Sequence, residues 1–183
     1  MTSETAITKG EDLTSLAQHF IKSGFFKDTT DTSKAVVKMM AGREIGIGPF
    51  TAMSELHVIE GKISMSANLM ASLIKRSGKY TFLVKEHTET LCVLEFFEMA
   101  KSIGVSSFSM EDATRIMRGN KPLSSGDNWK SYPRNMLFAR AMSNGAKWYC
   151  PDVFGGAAVY EPDEILPLPS SDTPIAAAPT GEL

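Results

Sequence analysis

Asn128-Trp-Lys-Ser-Tyr-Pro-Arg-Asn-Met-Leu-Phe-Ala-Arg-Ala-Met-Ser-Asn-Gly-Ala-Lys-Trp-Tyr149 is the stretch around which the rest of the chain is organised. Pro133 suits the first turn of a helix, because its φ is already helical and its missing N–H has no intrahelical partner there. The spacing therefore predicts a helix from Pro133 to about Tyr149. At roughly 100° per residue, Leu137, Phe138, Ala141, Met142, Gly145, Trp148 and Tyr149 share one arc, a face for burial. Arg140 and Lys147 point the opposite way, with Ser143 and Asn144 between them. Two such cations are either merely solvated or set out for an anion. Lys130, Ser131 and Arg134 favour the second reading, since phosphate binds well where a helix N-terminus, N–H groups and basic side chains converge.

Upstream lies Gly119-Asn-Lys-Pro-Leu-Ser-Ser-Gly126, a polar loop with Arg115, Arg118 and Lys121 around it. It reads either as a mobile basic flap or as an ordinary surface connection. Ser109-Met-Glu-Asp112 has the form of a capping box opening a helix to about Arg118. From Lys79 to Ala100, Tyr80, Phe82 and Val84 alternate with Thr81, Leu83 and Lys85, and Leu91 to Phe97 is a denser apolar run after His87-Thr-Glu-Thr90. That is a β-hairpin, with Lys101 to Ser107 left as a loop or short edge strand. His57 to Met65 forms a smaller hairpin about Glu60-Gly61. Ser66 caps a helix to Ser77 whose end carries Lys75, Arg76 and Lys79, where the helix dipole favours cations.

Asp31-Thr-Ser33 starts a helix to Ile45 with Val36, Met39 and Met40 inward and Lys34 and Lys38 on an exposed edge. Gly42, Gly46 and Gly48 fit helix closure and tight packing, not a phosphate loop. A first helix covers Glu11 to Lys22, and Phe25-Phe26 after it is either core or a docking point for a neighbouring subunit. Downstream, Pro151 stops the long helix, and 152–160 is a loop with one short final strand. The Pro/Ala/Ser-rich run from Ile165 reads as a disordered acidic tail.

The composition, 183 residues with 43% hydrophobic and 22% charged, suits one core with flexible ends. A net charge of −2 argues against avid binding to nucleic acid. Five acids and no Lys or Arg lie from Glu161 onward, however, so residues 1–160 hold 19 basic and 16 acidic residues, a net of +3. Any anion-binding groove must be local. Cys92 and Cys150 are isolated and read as buried thiols in a reducing compartment. With a polar, acidic start and no apolar run near the ~18 residues of a membrane span, the expected location is the cytoplasm. The sequence has no HExxH, GxSxG, Walker A or Cys/His ligand set, and His19, His57 and His87 are scattered. The expectation is a protein that is not an enzyme, with no cofactor and no metal.

Two blocks carry a resemblance. Trp129-Lys-Ser-Tyr-Pro-Arg-Asn-Met-Leu137, with Arg140-Ala-Met142 and the acidic close Tyr160-Glu-Pro-Asp-Glu164, resembles the signature of the phage single-strand annealing proteins, the RecT and lambda Red beta superfamily. Ala41-Gly-Arg-Glu-Ile-Gly-Ile-Gly-Pro49 and Val58-Ile-Glu-Gly-Lys-Ile-Ser-Met-Ser-Ala67 are similar to the central block of the RecT-like branch. The resemblance implies an α+β fold: a small antiparallel sheet of β-hairpins with a βββα-like annealing core packed with helices, assembled as an oligomeric ring or helical filament. It implies an N-terminal helix and subunit-contact arm over 1–30, an annealing core over 31–164 and a tail over 165–183.

It further implies ATP-independent binding of single-stranded DNA and annealing of complementary strands in phage homologous recombination. Lys130, Arg134, Arg140 and Lys147 would contact phosphate, with Lys62, Lys75 and Arg76 as a second wall and Arg115, Arg118 and Lys121 around the loop. Trp129 either packs beneath that groove or stacks on a base. The implied partners are single-stranded and annealed duplex DNA, further copies of the chain, a phage exonuclease and a host single-strand binding protein, with no membrane. The chain departs from the family in its shortness, its slightly negative charge and its brief C-terminal region. The competing readings are a protein-only oligomerising phage assembly or regulatory module, and a metal-dependent DNA-processing enzyme.

Overall fold

The structure, a computed structural model, describes residues 10–59, 61–156, 160, 162 and 165. Three helices come first: α1 (Gly10–Lys22), α2 (Thr32–Glu44) and α3 (Pro49–Glu55). Local chemistry sets their ends. The Asp31 carboxylate accepts from the Lys34 N–H at 2.9 Å, answering one of the unpaired donors of the first turn. Gly46, at φ +69°, closes α2 in the left-handed region, where glycine carries no Cβ penalty. Gly42 lets α3 approach, because a Cβ there would collide with Ala52. These helices enclose a small core of Leu13, Ala17, Phe26, Ala35, Met39 and Met53.

A hairpin follows, β1 (Leu56–Ile59) paired antiparallel with β2 (Lys62–Met65), Ile59 opposite Lys62. Ser66 caps α4 (Ala67–Arg76) through the Leu69 N–H, and Leu69, Met70, Leu73 and Ile74 bury one face of that helix. Burial of each is worth about 1.5–3 kcal/mol. The central sheet is a meander, β3 (Tyr80–His87), β4 (Leu91–Glu98) and β5 (Lys101–Ser109), with β4 in the middle. The expected loop or short edge strand after Lys101 is thus a full nine-residue strand, with Leu91 facing Ser109 at one end and Glu98 facing Lys101 at the other. Its polar, serine-rich sequence hides the strand because an edge strand needs apolar residues on one face only.

After β5, α5 (Met110–Arg115) begins with the capping box foreseen at Ser109 and Asp112, but ends sooner than expected. The segment read as a loop instead folds as a two-residue ribbon, β6 (Met117–Arg118) with β7 (Lys121–Pro122), then a 3-10 turn and α6 (Asp127–Ser131). Finally α7 (Pro133–Tyr149) runs over the sheet and against α4, ending in a 3-10 turn at Pro151–Phe154. The strand expected within 152–160 is absent from the described residues, where instead the Met65 N–H donates to the Tyr160 carbonyl at 2.9 Å.

Helix α7 seats closely because Gly145 meets the Phe96 ring, leaving no room for a Cβ, and Tyr149 fills the space beside Gly104. The main core therefore joins Phe96, Leu94, Cys92 and Phe108 of the sheet to Leu137, Ala141, Met142 and Ala146 of α7 and the apolar side of α4. Both cysteines lie in it, and burial pushes the Cys92 thiol up to about 11 and Cys150 up to about 12. No helix among the described residues is long and apolar enough to cross a membrane. The segments 1–9 and 166–183, including most of the expected tail, lie outside the described residues.

Candidate nucleic-acid interface

The helical arc drawn from periodicity is only partly the buried one. Leu137, Ala141, Met142 and Gly145 are buried as expected, but Ser143 is buried too and Trp148 is 59% exposed. Packing against both the sheet and α4 widens the covered arc, while Trp148 sits past the point where either covers it. Arg140, placed by periodicity on an open face, is half-buried with its guanidinium 5.2 Å from the centre of the Phe108 ring. That is a cation–π geometry, favoured by the negative face of the aromatic ring.

The other end of the same stripe is different. Lys147 Nζ lies 5.5 Å from the centre of the Tyr160 ring, and Lys62 Nζ, from β2, lies 5.6 Å from the same ring. Two cations from separate elements thus converge on one aromatic side chain. Sequence reasoning placed both lysines in one groove but gave Tyr160 no role; its single trace was an aromatic residue just before the acidic run.

Lys130 in α6 and Arg134 in the first turn of α7 are exposed. The Arg134 carbonyl accepts from His87 Nε2 at 2.9 Å, which ties the start of α7 to the end of β3. Arg134 and Lys147 are thirteen residues apart, about 20 Å along the helix axis at ~1.5 Å per residue. A ligand that touches both must be extended.

At the end of α4, Arg76 donates to the Ile45 carbonyl at 3.0 Å and Lys75 Nζ lies 4.9 Å from the Phe82 ring centre. Neighbouring Lys79 forms ion pairs with Asp152 at 2.9 Å and Glu98 at 3.2 Å, and its pKa is raised by Tyr80, Asp152 and Glu98. Among the loop cations, Arg115 pairs with Glu111 and is committed locally. Arg118 and Lys121 line a cleft of about 440 Å³ whose floor includes Leu123 and Trp129, and Arg118 also donates to the Ile165 carbonyl at 3.3 Å. Trp129 itself is 2% exposed, its ring 6.1 Å from Phe108. It supports the cleft from below and presents no open face for stacking.

Two basic-edge assignments separate in the structure. Lys34 is exposed, but Lys38 is fully buried, its ammonium donating to Asp28 (3.0 Å), Thr29 (3.0 Å) and the Met53 carbonyl (2.7 Å). All three donors of the ammonium are used, so the burial is satisfied. His57 Nδ1 approaches the same Asp28 oxygen at 3.1 Å. Burial alone would push Asp28 up, but the hydrogen bonds from Lys38 and His57 outweigh it and hold the carboxyl below its usual value. Met40, expected inside, is 51% exposed.

No protein-family model matches the chain, and no curated protein matches it in sequence.

Proposed function

We propose that this protein binds single-stranded DNA through its phosphates and anneals complementary strands without nucleotide hydrolysis, working as many copies side by side. The observation that carries the reading is the convergence of Lys62 and Lys147 on Tyr160. It joins the hairpin and the long helix into one cationic surface, the two walls that the resemblance implies. Lys130 and Arg134, exposed near the start of α7, and Arg118 and Lys121, in the cleft beside α6, are the further phosphate contacts of this reading. The span of about 20 Å matches roughly six phosphates at the ~3.4 Å axial spacing of one strand in a duplex.

Annealing needs no covalent step, because base pairing supplies the free energy. The protein's task is to reduce phosphate repulsion while leaving base edges open, and contacts to phosphate ignore base identity. A surface this modest binds weakly alone, and repetition along an assembly multiplies the weak contacts. The cytoplasm of a phage-infected host, a paired exonuclease and a host single-strand binding protein belong to the same proposal by resemblance.

The test is a titration of a short single-stranded oligonucleotide over a range of salt, followed by mixing of complementary strands without nucleotide. Steeply salt-dependent binding and faster pairing are expected; unchanged pairing rates would overturn the reading. The exposed aromatic residues Phe25 and Phe50 favour a second reading, a protein-only oligomerising module. In that case the oligonucleotide produces no salt-dependent shift.

A further inference from the structure

Among the described residues, one face of the central sheet is left bare. Helices α4 and α7 cover the side that carries Cys92, Leu94, Phe96 and Phe108, all buried. Alternation and register place Leu83, Glu95 and Val105 in one row across the other side, with Val93 and Phe97 in the flanking rows. None of these is buried, and Leu83 and Val105 are each about half exposed. An antiparallel sheet commonly turns polar residues to water on its open side, and this one turns the apolar Leu83, Val93, Phe97 and Val105 around the ion-paired Glu95.

The helical lobe carries a second apolar patch of a different shape. Of the Phe25-Phe26 pair, Phe26 is buried and Phe25 is 67% exposed. Its ring lies 5.7 Å from that of Phe50, itself 56% exposed, and both rings contact Phe26. The result is a projecting aromatic cluster on the surface of the small core. Exposed apolar patches of this kind mark interaction surfaces.

Charge decides what covers them. Exposed Lys22 and Lys27 flank the aromatic cluster, while Asp28 beside it is already engaged by Lys38 and His57. On the sheet, Glu86 stands opposite Val93 on the bare face and exposed Glu89 sits in the adjoining turn, while Lys85 is paired with Glu95 at 3.2 Å. Like patches would bring like charges together; unlike patches bring lysine to glutamate. We infer that Phe25 and Phe50 of one copy seat on the bare sheet face of the next, around Leu83 and Val105. The contact is heterologous, so each copy keeps one surface of each kind available and assembly propagates as a ring or an open helix. This deepens the side-by-side arrangement on which the proposed function depends, and it stands on surfaces other than the cationic one.

The test is sedimentation velocity of the full chain without nucleic acid. Wild type is expected to form species beyond a dimer as concentration rises. Phe25→Asp with Phe50→Asp should give monomers, and so should Leu83→Asp with Val105→Asp, each with unchanged far-ultraviolet circular dichroism. An equimolar mixture of the two variants should form dimers and nothing larger, because one intact cluster and one intact sheet face remain. A charge pair gives a second measurement that cannot disturb the core. Lys22→Glu with Lys27→Glu should weaken assembly about tenfold, and adding Glu86→Lys with Glu89→Lys in the same chain should restore it. A monomeric wild type, a mixture that stays monomeric, or a charge swap without rescue overturns the inference. Intact assembly with no oligonucleotide binding would instead overturn the annealing reading and leave this contact standing.

Discussion

Single residues reveal where the backbone and the core have no slack. The β4–β5 turn is a two-residue hairpin in which Met99 (φ 48°) and Ala100 (φ 66°) both occupy the left-handed region, normally the place of Asn-Gly. Met99→Asn with Ala100→Gly is therefore expected to raise stability by about 1 kcal/mol, read as a higher denaturant midpoint with unchanged slope. Gly145 illustrates the opposite case. Gly145→Ala should cost about 1–3 kcal/mol, since the new methyl meets the Phe96 ring and the helix must shift. Lys38→Met removes the shared donor of Asp28, Thr29 and the Met53 carbonyl, and should cost about 2–3 kcal/mol in the same assay. No local pattern distinguishes Lys38 from Lys34, four residues earlier on the same helix. Their difference is set by the loop at Asp28 and by the end of α3, which close over one and not the other.

At the scale of the element, starts were more legible than ends. Asp31, Ser66, Ser109 and Pro133 each act within one turn, through a hydrogen bond or a fixed φ, so sequence alone locates α2, α4, α5 and α7. The Ser109 cap also makes a pH prediction. The Ser109 hydroxyl and N–H both donate to the Asp112 carboxylate, at 2.6 and 2.9 Å, and hold its pKa below the usual value. A depressed carboxyl stabilises the fold above its unfolded pKa, and that contribution disappears as pH falls through the lower folded value. Ser109→Ala should thus cost about 1 kcal/mol near neutrality, and the gap to wild type should narrow below the ordinary Asp range. A gap that stays constant from neutral to acid pH would show that the carboxylate has no part in the cap. The strand β5 and the ribbon of β6 with β7 escaped the same reasoning, because their pairing partners, and not their own residues, make them strands.

Over the whole molecule, the relevant quantity is how far the cations act together. Lys62→Gln with Lys147→Gln leaves the main core untouched, since both side chains lie outside it. If each lysine meets one phosphate of a single strand, neutralising the pair lowers the dependence of log affinity on log salt by about 1.4, at ~0.7 per contact. A double variant with the wild-type slope would remove these two residues from the interface. The sequence by itself determined the local elements, the mixed helix and sheet composition, and the presence of basic residues on the long helix and the smaller hairpin. Each of these follows from chemistry within a turn or two of chain. Only the tertiary structure decided that Arg140 lies half-buried on Phe108 while Lys147 and Lys62 meet at Tyr160, that Lys38 is enclosed, and that one face of the sheet is left bare by the described residues. Those outcomes depend on which surfaces from distant parts of the chain arrive to cover a side chain, and burial by a remote element leaves no period in the sequence it covers.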